Sequence, residues 1–427
     1  MRLTCFPSAF VGSFTPPISK SDAIRAIICA LLSEKPTVFP PLASSDDVIA
    51  AMECAESLGA RYDGKIFTPP AKFASEATLN CRESAACLRF FACVTAAIGG
   101  SFTLKTGEVL SSRPMDTLAE TLKSGGATLE KTQNGFKTKG KLKEGKYTVD
   151  GGVSSQFLSG MLLAAPRING ETEITCKNLV SRAYVKRTLS VMRAFSAEIA
   201  EEEISDGTVY RISKSAYQPP ERLTLGKDWS GASFMLAAGA LGGEVTALGM
   251  TENAPDEQIV DILGLFGCEI RKSKNPDGTV DVTAKKRAFK PFEYDFTDCP
   301  DLVPVCCVLA ANANGKSVLK NVARLKNKES DRVTSCTRLI ESLGAEATFD
   351  GKNILVGGGK TTGGAVKTYG DHRIAMAAAC AAAGSTGAVE IDDAECVRKS
   401  YSSFWNDYVS TGGTVRYDNE RERGNNG

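Results

Sequence analysis

The stretch Val333–Gly351, VTSCTRLIESLGAEATFDG, carries the pattern that decides the fold. Val333, Ile340 and Leu343 recur at helical spacing, which gives a helix one buried stripe. Gly344 follows that stripe, where a residue free to adopt the left-handed conformation ends a helix. A short strand, the turn Asp350-Gly351 and a second strand come next, and Asp-Gly suits the type I′ turn whose twist matches a hairpin.

The pattern recurs along the whole chain, which makes internal repetition the first fact about its architecture. One copy has Val48, Ile49, Met52 and Ala55 on one face, then Leu58-Gly59-Ala60 and the turn Asp63-Gly64. The next has Met115, Leu118 and Leu122, a stop at Gly125-Gly126 and the turn Asn134-Gly135. A third has Val185, Leu189 and Met192, a less regular stop at Ser196-Ala197, and Asp206-Gly207. A fourth runs from Ile259, Ile262 and Phe266 through Gly267 to Asp277-Gly278. The last has Tyr401, Phe404 and Tyr408 before Gly412-Gly413. A second, more uniformly apolar helix precedes each, starting near Ser19, Glu83, Ser154, Asp228, Asp298 and Gly370. Runs such as Phe234 to Leu241 and Ile374 to Ala383 predict core helices, each followed by a strand.

The fold class expected is therefore α/β (α+β by some schemes), built from six βαβαββ units with their apolar helices inside. Six units exceed one comfortable core, so they group three and three in two domains. The expected boundaries place residues 19–227 in an inserted N-terminal-half domain, and 1–18 with 228–427 in the C-terminal-half domain.

Bulk properties exclude several functions. The 427 residues carry a formal net charge of +1, so no global field recruits nucleic acid or an acidic membrane. No apolar run approaches the roughly 20 residues of a membrane span. Met1 to Phe10 lacks a charged segment followed by an apolar one, so no signal peptide is expected and the location expected is cytoplasmic. Fourteen cysteines without a Cys-x-x-Cys pair, beside the single histidine His372, cannot assemble the common zinc spacings. They read as small core residues in a reducing compartment.

Chemistry concentrates where the apolar helices begin. Their first turns carry Ser19-Lys20-Ser21, Ser84, Ser154-Ser155-Gln156, Ser230, Asp301 and Asp371-His372-Arg373. N-capping explains the serines and aspartates. It does not explain Lys20 and Arg373, which stand where the helix dipole disfavours positive charge. Arg25 lies four residues after Ser21, and Arg89 four after Ala85. Cations at helix N-termini make sense around a bound anion, and arginine contacts phosphate through two donors at once. Further clusters are Ser111-Ser112-Arg113-Pro114, Lys326 to Arg332, and Val397-Arg398-Lys399-Ser400. Gly315-Lys316-Ser317 is not a nucleotide loop, because its required first glycine is Ala310.

These motifs, in this order and spacing, are similar to those of the 5-enolpyruvylshikimate-3-phosphate synthase family. The resemblance lies in Pro17-Ile18-Ser19-Lys20-Ser21 with Arg25, Ser112-Arg113-Pro114-Met115, and Asp150 to Phe157. It continues in Lys328-Glu329-Ser330-Asp331-Arg332 and Asp371 to Met376. It implies a monomer of the inside-out α/β fold that uses neither metal nor organic cofactor. The reaction implied is transfer of the enolpyruvyl group of phosphoenolpyruvate to the 5-hydroxyl of shikimate 3-phosphate, through a tetrahedral intermediate, with release of phosphate.

The resemblance assigns shikimate 3-phosphate to Lys20, Ser21, Arg25, Ser154, Ser155, Gln156, Ser181, Asp301 and Lys328. It assigns phosphoenolpyruvate to Lys20, Arg113, Gln156, Arg332, Arg373 and Lys399. Asp301 is implied as partner of the attacking hydroxyl, and Lys20 and Glu329 as the proton-transfer groups. His372 is implied as a supporting polar residue. A carboxylate among cations stays ionised, so Glu329 is expected to act as an acid only after domain closure changes its surroundings. One stretch departs from the family: Glu83-Ser84-Ala85-Ala86-Cys87-Leu88-Arg89 has alanine where family members carry glycine. The extra methyl at Ala85 is expected to discriminate against glyphosate, which is longer than phosphoenolpyruvate. The competing readings are transfer to UDP-N-acetylglucosamine, and a non-catalytic anion-binding scaffold of the same fold.

Overall fold

The computed structural model describes residues 1–42 and 44–418. The tail Asn419–Gly427, expected to be disordered, lies outside the described residues. The chain divides into two compact units, Ile18–Leu225 and Met1–Pro17 with the chain from Gly226 onward.

Each unit is built from three βαβαββ repeats. The second repeat shows why. Strand Glu76–Asn80 leads into the buried helix Ala85–Ile98 and then strand Gly100–Lys105. The amphipathic helix Asp116–Ser124 and the hairpin Ala127–Thr132 with Gly135–Gly140 complete it. The first two strands are parallel, and the last strand of the hairpin inserts antiparallel beside the second. Register puts Leu79, Leu104 and Phe136 in one row, with Phe102, Thr138 and Leu129 in the next, so one face of the sheet is buried.

The same order holds in the sheets that begin at Gly145, Val11 and Glu293. Two repeats depart from it. In the last one, Arg2–Phe6 fills the place of the fourth strand, between Val389–Ile391 and Thr414–Asp418. The first has three strands, Thr37–Val38, Ile66–Thr68 and Arg61–Tyr62.

The cores follow from the apolar helices. Lys20–Leu31, Ala85–Ile98 and Ser155–Ala164 lie inside one unit. Trp229–Gly242, Val303–Ala311 and His372–Ala381 lie inside the other. One of the expected helix starts differs. The helix expected near Asp298 opens as a 3-10 turn, Pro300–Leu302, before Val303–Ala311. Pro300 and Pro304 have no N–H to give to a regular ladder, and proline is tolerated only in a first turn. Ser196 takes the left-handed conformation (φ 62°) just beyond the helix Arg182–Ala194, where Gly267 does so (φ 98°) after Ile259–Phe266. The fourteen cysteines are unpaired and twelve of them are buried. Among the described residues no helix is long and apolar enough to cross a membrane.

Candidate active site

In the unit Ile18–Leu225 the polar set stands at three helix starts. Ser19, Ser84 and Ser154 each cap their helix, accepting hydrogen bonds from the backbone N–H of Asp22, Cys87 and Gln156 respectively. Lys20 Nζ donates to Asp47 Oδ2 at 2.8 Å, which offsets the cost of a cation in a first turn. Arg89 reaches from the Ala85–Ile98 helix to the start of the next one, where its Nη1 donates to Gln156 Oε1 (2.8 Å) and Ser154 Oγ (3.1 Å). Its guanidinium also lies over the Phe157 ring, 5.1 Å from the centroid. Gln156 and Ser154 are thus already oriented toward a cation.

Arg25 stands one turn beyond Ser21 and is held by hydrogen bonds within its own helix and to Arg182–Ala194. It is 2% exposed, and its Nε donates to Thr188 Oγ1 at 2.7 Å. Nη1 and Nη2 donate to the carbonyls of Ser21 (2.8 Å) and Tyr184 (3.3 Å). Burial is the main cause that lowers its pKa to about 10, against the opposing pull of Asp22. Ser155 is buried, and Ser21 is half-buried. Ser181 sits in the left-handed conformation (φ 54°) at the start of Arg182–Ala194. Arg113 is buried just beyond the short helix Glu108–Ser111, and Ala85 opens its helix nearly enclosed.

The second polar set, in the other unit, gathers around Asp301. Lys328 Nζ and Arg332 Nη1 donate to Asp301 Oδ1 at 3.1 and 2.8 Å, and Arg373 Nη2 donates to Oδ2 at 3.1 Å. Arg332 is enclosed: its Nη2 donates to Glu329 Oε2 (2.6 Å), and its Nε to Asp371 Oδ2 (2.8 Å). Asp371 also caps the last buried helix, accepting from Arg373 N–H, and receives Ser330 Oγ. Three carboxylates therefore face three cations. Burial pushes the Asp301 carboxyl upward, but Arg373, Lys328 and Arg332 outweigh it and hold it well below the usual carboxylate range. Burial depresses the Lys328 ammonium. Burial also disfavours charge on Arg332, yet Asp371, Glu329 and Asp301 hold it well above the ordinary value. His372 is buried with Nδ1 3.7 Å from Asp371 Oδ1. Lys399 ends the 3-10 turn Glu395–Lys399, half-buried. Ser230 is not a cap: Asp228 caps its helix, and Ser230 Oγ donates to the buried Asp256.

Sequence alone missed Asp47, Asp371 and Arg89 as partners of the expected site residues. The signal for Arg89 was present in its four-residue spacing from Ala85. Asp47 and Asp371 are capping-type residues whose second role depends on contacts 27 and 39 positions away.

Residues 6–408 match the family described as EPSP synthase (3-phosphoshikimate 1-carboxyvinyltransferase). The chain belongs to the EPSP synthase family. A relative named 3-phosphoshikimate 1-carboxyvinyltransferase from Thermococcus kodakarensis is 35% identical over 399 residues, covering 93% of this chain and 96% of that one. One of the same name from Brachyspira hyodysenteriae is 33% identical over 427 residues, covering 97% and 100%. Among solved structures, EPSP synthase from Acinetobacter baumannii superposes with a TM-score of 0.79 at 23% identity, over 97% of this chain and all of that one. The enolpyruvyl transferase NikO from Streptomyces tendae gives 0.74 at 17% identity, over 97% and 98%. At those identities the two structures speak for the fold. Within an EPSP synthase scaffold, the Asp301 cluster is the strongest concentration of buried charge among the hydrogen-bonded groups described above.

Proposed function

We propose that this chain transfers the enolpyruvyl group of phosphoenolpyruvate to the 5-hydroxyl of shikimate 3-phosphate, releasing inorganic phosphate. Family membership over residues 6–408 carries the reading, and the Asp301 cluster supports its chemistry.

Both substrates are anionic, and two like charges about 5 Å apart repel by roughly 3 kcal/mol at an effective dielectric near 20. Arg113, Arg332, Arg373 and Lys399 are proposed to offset this around phosphoenolpyruvate. Lys20, Ser21, Arg25, Ser154, Ser155, Gln156, Ser181 and Lys328 are proposed to hold shikimate 3-phosphate. Asp301, kept ionised by its three cations, accepts a hydrogen bond from the 5-hydroxyl and orients it. The hydroxyl oxygen loses its proton as it bonds to C2 of phosphoenolpyruvate, and the methylene carbon takes one up, so the addition is neutral in protons. In the second step that carbon returns a proton, the double bond re-forms and the C–O bond to phosphate breaks. Lys20 and Glu329 are the proposed proton carriers.

The cluster is formally neutral as it stands, with Asp301, Glu329 and Asp371 against Lys328, Arg332 and Arg373. An incoming anion that draws Arg332 or Arg373 away would leave Glu329 less compensated and readier to take a proton. That exchange is how a carboxylate beside an arginine becomes an acid. Normal turnover by a Glu329→Gln variant would remove Glu329 from that role.

The unpaired cysteines support a reducing compartment, the cytoplasm, and the proposed working form is a monomer. Mass spectrometry of a reaction containing both substrates tests the reading. The acceptor is expected to gain one carboxyvinyl group, and UDP-N-acetylglucosamine in its place is expected to stay unmodified. Unmodified shikimate 3-phosphate under those conditions would overturn it.

A further inference from the structure

Asp22 and Arg187 form an ion pair that the proposed reaction does not use. Arg187 Nε donates to Asp22 Oδ1 at 2.6 Å and its Nη2 to Oδ2, so both carboxylate oxygens meet the guanidinium fork. The Asp22 side chain is 3% exposed and that of Arg187 18%. Asp22 stands in the first turn of Lys20–Leu31, directly after Ser21. Arg187 stands in the second turn of Arg182–Ala194, directly after which Thr188 receives Arg25. Thr188 in turn donates to Ser159 Oγ at 2.9 Å, on the Ser155–Ala164 helix.

We propose that the Asp22–Arg187 pair is a positioning device for shikimate 3-phosphate. It fixes the turn that begins with Ser181 against the turn that carries Lys20 and Ser21. The inference rests on the proposed assignment of that substrate to these residues.

Three observations support it. A buried ion pair is weak evidence for stability, since its desolvation cost can match its attraction. What a two-point guanidinium–carboxylate contact does supply is fixed geometry. Next, Ser181 is a non-glycine residue held at φ 54°, a strained conformation that persists only where its surroundings hold it. The helix it precedes is tied down by the Arg187 fork and by Arg25, through Thr188 and the Tyr184 carbonyl. Last, a carboxylate in the first turn of an anion-binding helix would repel a docking phosphate, and Arg187 neutralises it.

Charge and geometry make opposite forecasts, which gives a sharp test. If the pair acted only through charge, Asp22→Asn would leave Arg187 unopposed and tighten anion binding. If it acts by positioning, both Asp22→Asn and Arg187→Gln weaken it. Calorimetric titration of the full-length protein with shikimate 3-phosphate alone, followed by steady-state kinetics, reads the difference. The expected result is a Kd for shikimate 3-phosphate about tenfold higher in each variant, the scale of a misplaced charge-assisted contact, with the KM for phosphoenolpyruvate little changed. Arg187→Lys keeps the charge and loses the fork; it is expected to fall between, and it carries the test if the other variants do not fold. Tighter or unchanged binding in the folded variants, or equal losses for both substrates, would overturn the proposal. If the unaltered protein itself binds no shikimate 3-phosphate, the functional assignment falls, and this inference with it.

Discussion

Ala85 opens its helix with a buried methyl group, at the position where the family resemblance implies glycine. One added methyl against a ligand discriminates by about 1–3 kcal/mol, or roughly 10- to 200-fold. An Ala85→Gly variant is therefore expected to have a glyphosate inhibition constant at least about tenfold lower, with the KM for phosphoenolpyruvate changed much less. Equal inhibition constants would show that the methyl has simply repacked. Asp301 permits a second test, through pH. Its folded-state pKa lies well below the unfolded value, so its contribution to stability is complete above about pH 4 and declines as pH falls toward the folded-state value. Asp301→Asn is expected to cost on the order of 3 kcal/mol near neutral pH, because three cations lose a shared carboxylate. Denaturant melts below pH 4 should show that deficit shrinking; a deficit independent of pH would contradict the assigned ionisation. Ala85 and Asp301 were both marked by the sequence, whereas the three cations sharing Asp301 could not be read as its partners. Arg25 was legible as a cation one turn beyond Ser21, but its ties to Thr188 and Tyr184 were not, because they lie 163 and 159 positions away.

Helix packing sets how tightly the polar turns are held. Gly160 brings the Ser155–Ala164 helix against Ala85–Ile98: a Cβ there would stand 2.9 Å from the Arg89 carbonyl oxygen and 2.9 Å from Cys93 Sγ. Neither backbone can yield without moving Arg89, Ser154 and Gln156 apart. Gly160→Ala is expected to destabilise by about 1–3 kcal/mol. Gly264, exposed within Ile259–Phe266 with open space around it, is the control, and Gly264→Ala should stabilise by about 0.5–1 kcal/mol. Urea melts read both, and equal signs would contradict the packing account. The repeats themselves were legible because stripe, glycine stop and Asp-Gly turn are local signals. The 3-10 opening at Pro300 was not, since an aspartate before an apolar run reads as an ordinary cap. The three-stranded first sheet was hidden too, because its strands of two and three residues carry almost no alternation.

On the scale of the whole chain, two triplets of repeats each surround their own apolar helices, and each offers a polar set at the helix starts. Lys328, Glu329, Arg332 and Arg373 stood out in the sequence because short motifs announce them, and they gather in one hydrogen-bonded cluster with Asp301. Their partner Asp371 was half legible, as a cap. The pairing of Asp22 with Arg187 was invisible, since 165 positions separate them and nothing local marks either one. The account stands or falls on chemistry that needs both substrates together. Phosphate release measured over a full matrix of the two concentrations tests this directly. The expected result is saturable release that requires shikimate 3-phosphate and phosphoenolpyruvate together. Release from phosphoenolpyruvate alone at the same rate, or none with both present, would contradict it.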